Sequence, residues 1–234
     1  MTEIDCTSRY IKMDESKLIF FTGAPGSKWS ATAHILSHSQ KINVNTSDYT
    51  EERKYTHPVP GVSHLGAYWG PGFEFGNNFD KLDTLSKEEI ILEIEKPYAD
   101  KNWQQHRIIK CHQFANNLDF IKDTFPQSKI IIVLRPNGVC ANAWIEAGGW
   151  DITYPVYKPY YQNNDNMRAK VLEELQNAKT FITKHNLKMN VITDDYWMNH
   201  WGIAKNTPEL ELYMNSIVRS PKGVWHYDTT IAEI

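Results

Sequence analysis

The chain has 234 residues, of which 41% are hydrophobic and 23% charged, with a net charge of −3 and a pI near 6.3. That length suits one α/β domain with a full core, and the slight acidity removes any general attraction for nucleic acid or an anionic membrane, so an anion site has to be local. Three scattered cysteines, Cys6, Cys111 and Cys140, lack C-x-x-C spacing, which excludes a disulfide framework or a cysteine zinc site and fits a reducing cytoplasm.

The first residues, Met1 to Arg9, are polar and acidic where a secretory signal would be basic and then apolar, so no export is expected. The first strand is predicted over Lys17–Thr22. It breaks at Gly23, and a helical pattern over Ser30–Ser37 follows. A strand, a tight turn and a helix start aim unpaired backbone N–H groups and the positive end of a helix dipole at one point. Gly23, Ala24, Pro25, Gly26, Ser27, Lys28, Trp29 and Ser30 therefore form a candidate phosphate or sulfate cradle. The P-loop spacing G-x-x-x-x-G-K-[ST] is not met, because two residues separate Gly23 from Gly26 and Trp29 stands between Lys28 and Ser30.

Residues 54–78, rich in Gly, Pro and aromatics, are predicted to be a loop. Either its rings pack on one another, or His64, Tyr68, Trp69, Phe73 and Glu74 bind an acceptor substrate. Ser86–Glu95 is predicted helical and opens on a Ser-x-x-Glu capping box. Further along, strands are predicted over Arg107–Cys111, Lys129–Leu134 and Met189–Thr193, each an apolar run buried on both faces, with helices over Asn117–Thr124, Gly138–Ala147 and Asn166–His185. A second loop is predicted over 150–164. The longest aliphatic run, Ile130–Leu134, is far below the roughly 20 residues of a membrane-spanning helix, so a soluble protein without membrane insertion is expected. Strands alternating with helices predict a single domain over 1–234, a three-layer α/β/α arrangement with a mostly parallel central sheet.

In such a sheet the strand ends share one edge, which would gather the Gly23–Ser30 turn, Lys110 and His112, and Arg135. Cations and a base beside an anion cradle suit transfer of an anionic group.

These segments resemble the sulfotransferases that use 3'-phosphoadenosine 5'-phosphosulfate (PAPS). Gly23-Ala-Pro-Gly-Ser-Lys-Trp-Ser30 is similar to that family's 5'-phosphosulfate loop. Arg107-Ile-Ile-Lys-Cys-His-Gln-Phe114 is similar to its K-T-H-L-P strand end, and Ser128 to Asn142 to the strand and helix start that hold the 3'-phosphate. Arg219-Ser-Pro-Lys-Gly-Val-Trp225 is faintly similar to the segment over the 3'-phosphate, which would enlist Arg219 and Lys222. The resemblance implies a P-loop NTPase-like fold, PAPS as sulfuryl donor, 3',5'-ADP as product and no metal. It implies His112 as general base, Lys28 and Lys110 at the leaving oxygen, and Arg135 with Asn142 on the 3'-phosphate. The acceptor would be a small molecule or carbohydrate. The chain departs from the pattern in placing Gly26 where the loop cation stands, with Lys28 further along, and in shortening the turn after Arg135.

Two other readings stay open. A P-loop kinase or nucleotidase would need an acidic strand end, which Asp194 and Asp195 could supply, and a non-catalytic nucleotide-binding module would tolerate the altered loop.

Overall fold

The computed structural model describes residues 13–44, 82–95, 98, 103–152, 157–204, 207–208, 211 and 229–234. The predicted loop 54–78, with His64, Tyr68, Trp69, Phe73 and Glu74, lies outside the described residues, as do Arg219 and Lys222.

Three strands form where the longest apolar runs stand: β1 (Leu18–Thr22), β2 (Arg107–Lys110) and β3 (Lys129–Leu134). All but Lys129 are buried, the pattern expected of central strands covered on both faces. β1 lies between the other two and pairs parallel with each, Phe21 opposite Lys110 on one side and Ile131 on the other. β4 (Met189–Val191) and β5 (Thr230–Glu233) complete the sheet in the order β2-β1-β3-β5-β4. Because β5 is antiparallel to both β3 and β4, the four other strands share one direction and β5 alone is reversed. The sheet is therefore open and mixed. β4 departs from its predicted burial: as an edge strand it leaves Met189 and Val191 about half exposed, and it stops short of Thr193.

The helices follow the predicted ones closely. α1 (Trp29–Leu36) packs on β1, β2 and β3. α2 (Lys87–Glu95) opens on the expected reciprocal cap: Ser86 N–H donates to Glu89 Oε2 at 2.8 Å and Glu89 N–H to Ser86 Oγ at 3.2 Å. The Ser86 backbone N–H, with the Ser86 hydroxyl, holds the Glu89 carboxyl below its ordinary pKa. α3 (Leu118–Thr124) follows a 3-10 turn over His112–Asn116, and α4 (Asn137–Glu146) follows Pro136.

Part of the predicted loop 150–164 is helical. After a 3-10 turn over Gly149–Asp151, Pro159 sits in the first turn of α5 (Lys158–Tyr161), where its fixed φ favours a helix start. The long α6 (Asn164–Lys184) begins two residues before the prediction because Asn163 is its cap, accepting from the Asn166 N–H at 2.8 Å. α7 (Asp194–Tyr196) runs into a π-helical turn, Trp197–Trp201. Phe20 sits at the centre of the core, its ring 5.3 Å from Phe114 and 5.1 Å from Phe125. Among the described residues no helix is long and apolar enough to cross a membrane.

Candidate functional site

The carboxyl ends of β2, β1 and β3 lie side by side because the strands are adjacent and parallel. The turn after β1 is tight: Ser27 N–H donates to the Ala24 carbonyl at 2.9 Å, and Gly26 has φ +81°. A Cβ on Gly23 would stand 2.6 Å from Ser27 Oγ and 2.8 Å from the Val133 carbonyl of β3, so only glycine lets the chain turn this close to its neighbour. Lys28, the N-cap of α1, adopts φ 67° and ψ 16°, a left-handed conformation costing a non-glycine residue about 1–2 kcal/mol. Its carbonyl accepts from both the N–H and the hydroxyl of Thr32. Strain of this kind persists where the surroundings impose it, commonly at ligand clamps.

Ser27 Oγ is fully enclosed and has no hydrogen-bond partner among the described residues. Such a hydroxyl costs about 1–3 kcal/mol unless something bonds it. At the start of α1, beside backbone N–H groups and the helix dipole, a phosphate-sized anion would satisfy it. The loop thus fits an oxyanion on this chain's own geometry.

Arg135 closes the turn. Its guanidinium donates from Nη1 to the Gly26 carbonyl at 3.1 Å, and the side chain is almost buried. The end of β3 is thereby tied to the loop after β1. Asn142 stands further along α4, exposed, where its side-chain oxygen accepts from Arg168 at 3.4 Å.

At the end of β2, Lys110 is 1% exposed, and burial lowers its pKa from 10.5 to about 7. The folded state therefore sheds the lysine proton near pH 7 while the unfolded chain keeps it to about 10.5, so stability rises with pH between those values. Lys110→Met is expected to flatten that rise in urea midpoints measured across the range; an unchanged pH slope would exclude Lys110 as its source.

His112 follows, its backbone carbonyl accepting from Thr22 Oγ1 at 3.1 Å, which joins the tips of β1 and β2. Its imidazole is fully buried and turned towards α6, where Nδ1 lies 2.9 Å from Glu174 Oε1. Gln113 Nε2 donates to the same oxygen at 3.1 Å and also to the Tyr160 hydroxyl. The Tyr157 and Tyr160 rings stand 5.6 and 6.5 Å from the imidazole. Tyr161, stacked on Tyr157, has a buried hydroxyl whose pKa is raised by desolvation and by the nearby Glu174 charge.

The turn, Lys110, His112 and Arg135 thus stand at the carboxyl ends of adjacent strands, as the sequence predicts; Arg135 touches the turn, while the His112 imidazole is directed at α6. No family model, curated protein or solved structure matches the chain. Among the described residues no group of three or more His, Cys, Asp or Glu side chains is placed to hold a metal ion.

Glu174, Gln113, Tyr157 and Tyr160 escaped the sequence reading. A signal for Glu174 existed: it interrupts the buried stripe Met167, Val171, Leu175, Ala178, Phe181 and Ile182 of α6, and a carboxylate on such a face needs a partner.

Proposed function

We propose that this chain transfers a sulfuryl group from PAPS to a hydroxyl or amine acceptor, with His112 as general base. The observation that supports this most is the turn Gly23–Ser30, with its unsatisfied Ser27 hydroxyl, braced by Arg135 beside the tip that carries Lys110 and His112. The resemblance of the three strand-end motifs to the PAPS family adds to it, and a P-loop NTPase-like, three-layer arrangement belongs to the same reading. Right-handed crossovers would put α1 and α2 on one sheet face and α3, α4 and α6 on the other.

When bound, PAPS supplies the sulfuryl group: the acceptor atom bonds sulfur as the bond from sulfur to the 5'-phosphate oxygen breaks, and the acceptor's proton passes to His112. The loop N–H groups and Ser27 would hold the 5'-phosphate, with Lys28 and Lys110 offsetting charge on its oxygens. A lysine held near neutrality by burial takes a proton readily when an anion arrives beside it. Arg135 would contribute a guanidinium fork to the 3'-phosphate, and Asn142 would complete that contact through its amide. Arg219 and Lys222 remain candidates for the same phosphate, and His64, Tyr68, Trp69, Phe73 and Glu74 for the acceptor. The buried cysteines Cys111 and Cys140 suit a reducing cytoplasm.

The kinase reading draws less support. Asp194 and Asp195 follow β4, three strands from β1 and so about 14 Å across the sheet, whereas both neighbours of β1 end in cations.

The test is nucleotide discrimination at Arg135. The wild-type chain should bind 3',5'-ADP more tightly than 5'-AMP, and Arg135→Ala should cost about 1.5–3 kcal/mol for the first and much less for the second. Calorimetry showing equal losses would leave Arg135 as a brace for Gly26 only. A wild-type chain that does not distinguish the two would sink the PAPS assignment.

A further inference from the structure

We infer that Glu174 is the positioning residue of the proposed base: it fixes the tautomer of His112 and stabilises the imidazolium formed when that residue takes a proton. The inference rests on the reading of His112 as base. Glu174 is 1% exposed and His112 0%, so the 2.9 Å contact between them is shielded from water. A carboxylate in the apolar stripe of a helix is costly to desolvate, and two donors, His112 Nδ1–H and Gln113 Nε2–H, converge on its Oε1.

The arrangement is held from both sides. Gln113 has one N–H on Glu174 and the other on Tyr160, while its carbonyl oxygen accepts from Asn116 Nδ2 at 2.7 Å. The Asn116 side-chain oxygen in turn accepts from Asn177 on α6 at 2.9 Å, which fixes which way both amides face. Gln113 therefore presents hydrogen, not oxygen, to Glu174. The imidazole, packed beside Tyr157 and Tyr160, faces a carboxylate whose approach is already set.

The hydrogen bond at one ring nitrogen decides which nitrogen carries the proton. With Nδ1–H donating to Glu174, Nε2 holds the lone pair. The proton leaving the acceptor's O–H or N–H then forms an N–H bond at Nε2, Nδ1 keeps its own proton, and the positive ring pairs with the carboxylate. Nothing is oxidised or reduced.

Imidazole ¹⁵N spectra of the full chain test this without any turnover, with the His112 signals assigned by their loss in His112→Gln. The expected wild-type species is the Nδ1–H tautomer, retained in Glu174→Gln, whose amide oxygen still accepts. Kinetics form the second arm. Glu174→Gln should lower kcat about 10- to 100-fold, part of the 10²–10⁴ that a general base contributes, and leave the acceptor KM and 3',5'-ADP affinity within about twofold. An Nε2–H tautomer in the wild-type chain, or wild-type kcat in Glu174→Gln, overturns the inference. A wild-type chain that transfers no sulfate overturns the sulfotransferase reading instead, and the tautomer then still decides whether Glu174 sets His112.

Discussion

His112→Gln is expected to lower sulfate transfer by roughly 10²–10⁴-fold, the usual contribution of a general base, while 3',5'-ADP stabilises the variant as well as it does the wild-type chain. Glutamine is chosen over alanine for a physical reason. Alanine would take from the buried Glu174 carboxylate one of the two donors that converge on its Oε1, and leaving a buried charged group under-satisfied costs about 1–3 kcal/mol or more, enough to confuse lost chemistry with lost fold. A glutamine N–H keeps a donor for Glu174. Turnover of labelled PAPS beside a melting curve separates the two effects. Retained transfer removes the base role from His112, and loss of nucleotide binding along with transfer would make the residue part of the scaffold.

Gly26→Ala is expected to destabilise the chain by about 2–4 kcal/mol and to abolish nucleotide binding. Two costs add. The residue has φ +81°, where an L side chain costs about 1–2 kcal/mol, and its new Cβ would stand 2.1 Å from the Cys140 carbonyl of α4, a backbone atom that cannot swing aside. Moving α4 away would also pull the Gly26 carbonyl from Arg135, since the bond at 3.1 Å spans the two segments that must separate. The turn, the start of α4 and the arginine are thus one mechanical unit. Urea unfolding gives the loss directly. A midpoint within about 0.5 kcal/mol of the wild type, the range of an ordinary surface substitution, would contradict the tight packing of the turn.

What the sequence made legible is what local physics decides. Leu18–Thr22, Arg107–Lys110 and Lys129–Leu134 are continuous apolar runs that only a covered sheet accommodates, and Ser86 and Glu89 satisfy each other's backbone groups within one turn. The placing of the Gly23 turn, Lys110, His112 and Arg135 at one edge of the sheet followed from parallel pairing alone. Non-local features were harder. β5 is four residues long and takes its strand form from pairing between β3 and β4, so nothing in Thr-Ile-Ala-Glu announces it. Lys-Pro-Tyr-Tyr read as loop because proline punctuates chains, yet a proline in the first turn with Tyr157 and Tyr161 buried makes a helix. Glu174 lies 62 residues from His112, and only packing of α6 brings them together.

Which nucleotide the turn recognises decides between sulfuryl and phosphoryl transfer, and a thermal melt of the full chain with 3',5'-ADP or with ATP and Mg²⁺ reads that choice. At about 100 times its Kd a ligand adds about 2.7 kcal/mol, which for a domain of this size raises Tm by about 5–10 °C. That rise is expected with 3',5'-ADP, without metal, and a much smaller one with ATP and Mg²⁺. A larger shift with ATP and Mg²⁺, or none with 3',5'-ADP, would contradict sulfuryl transfer.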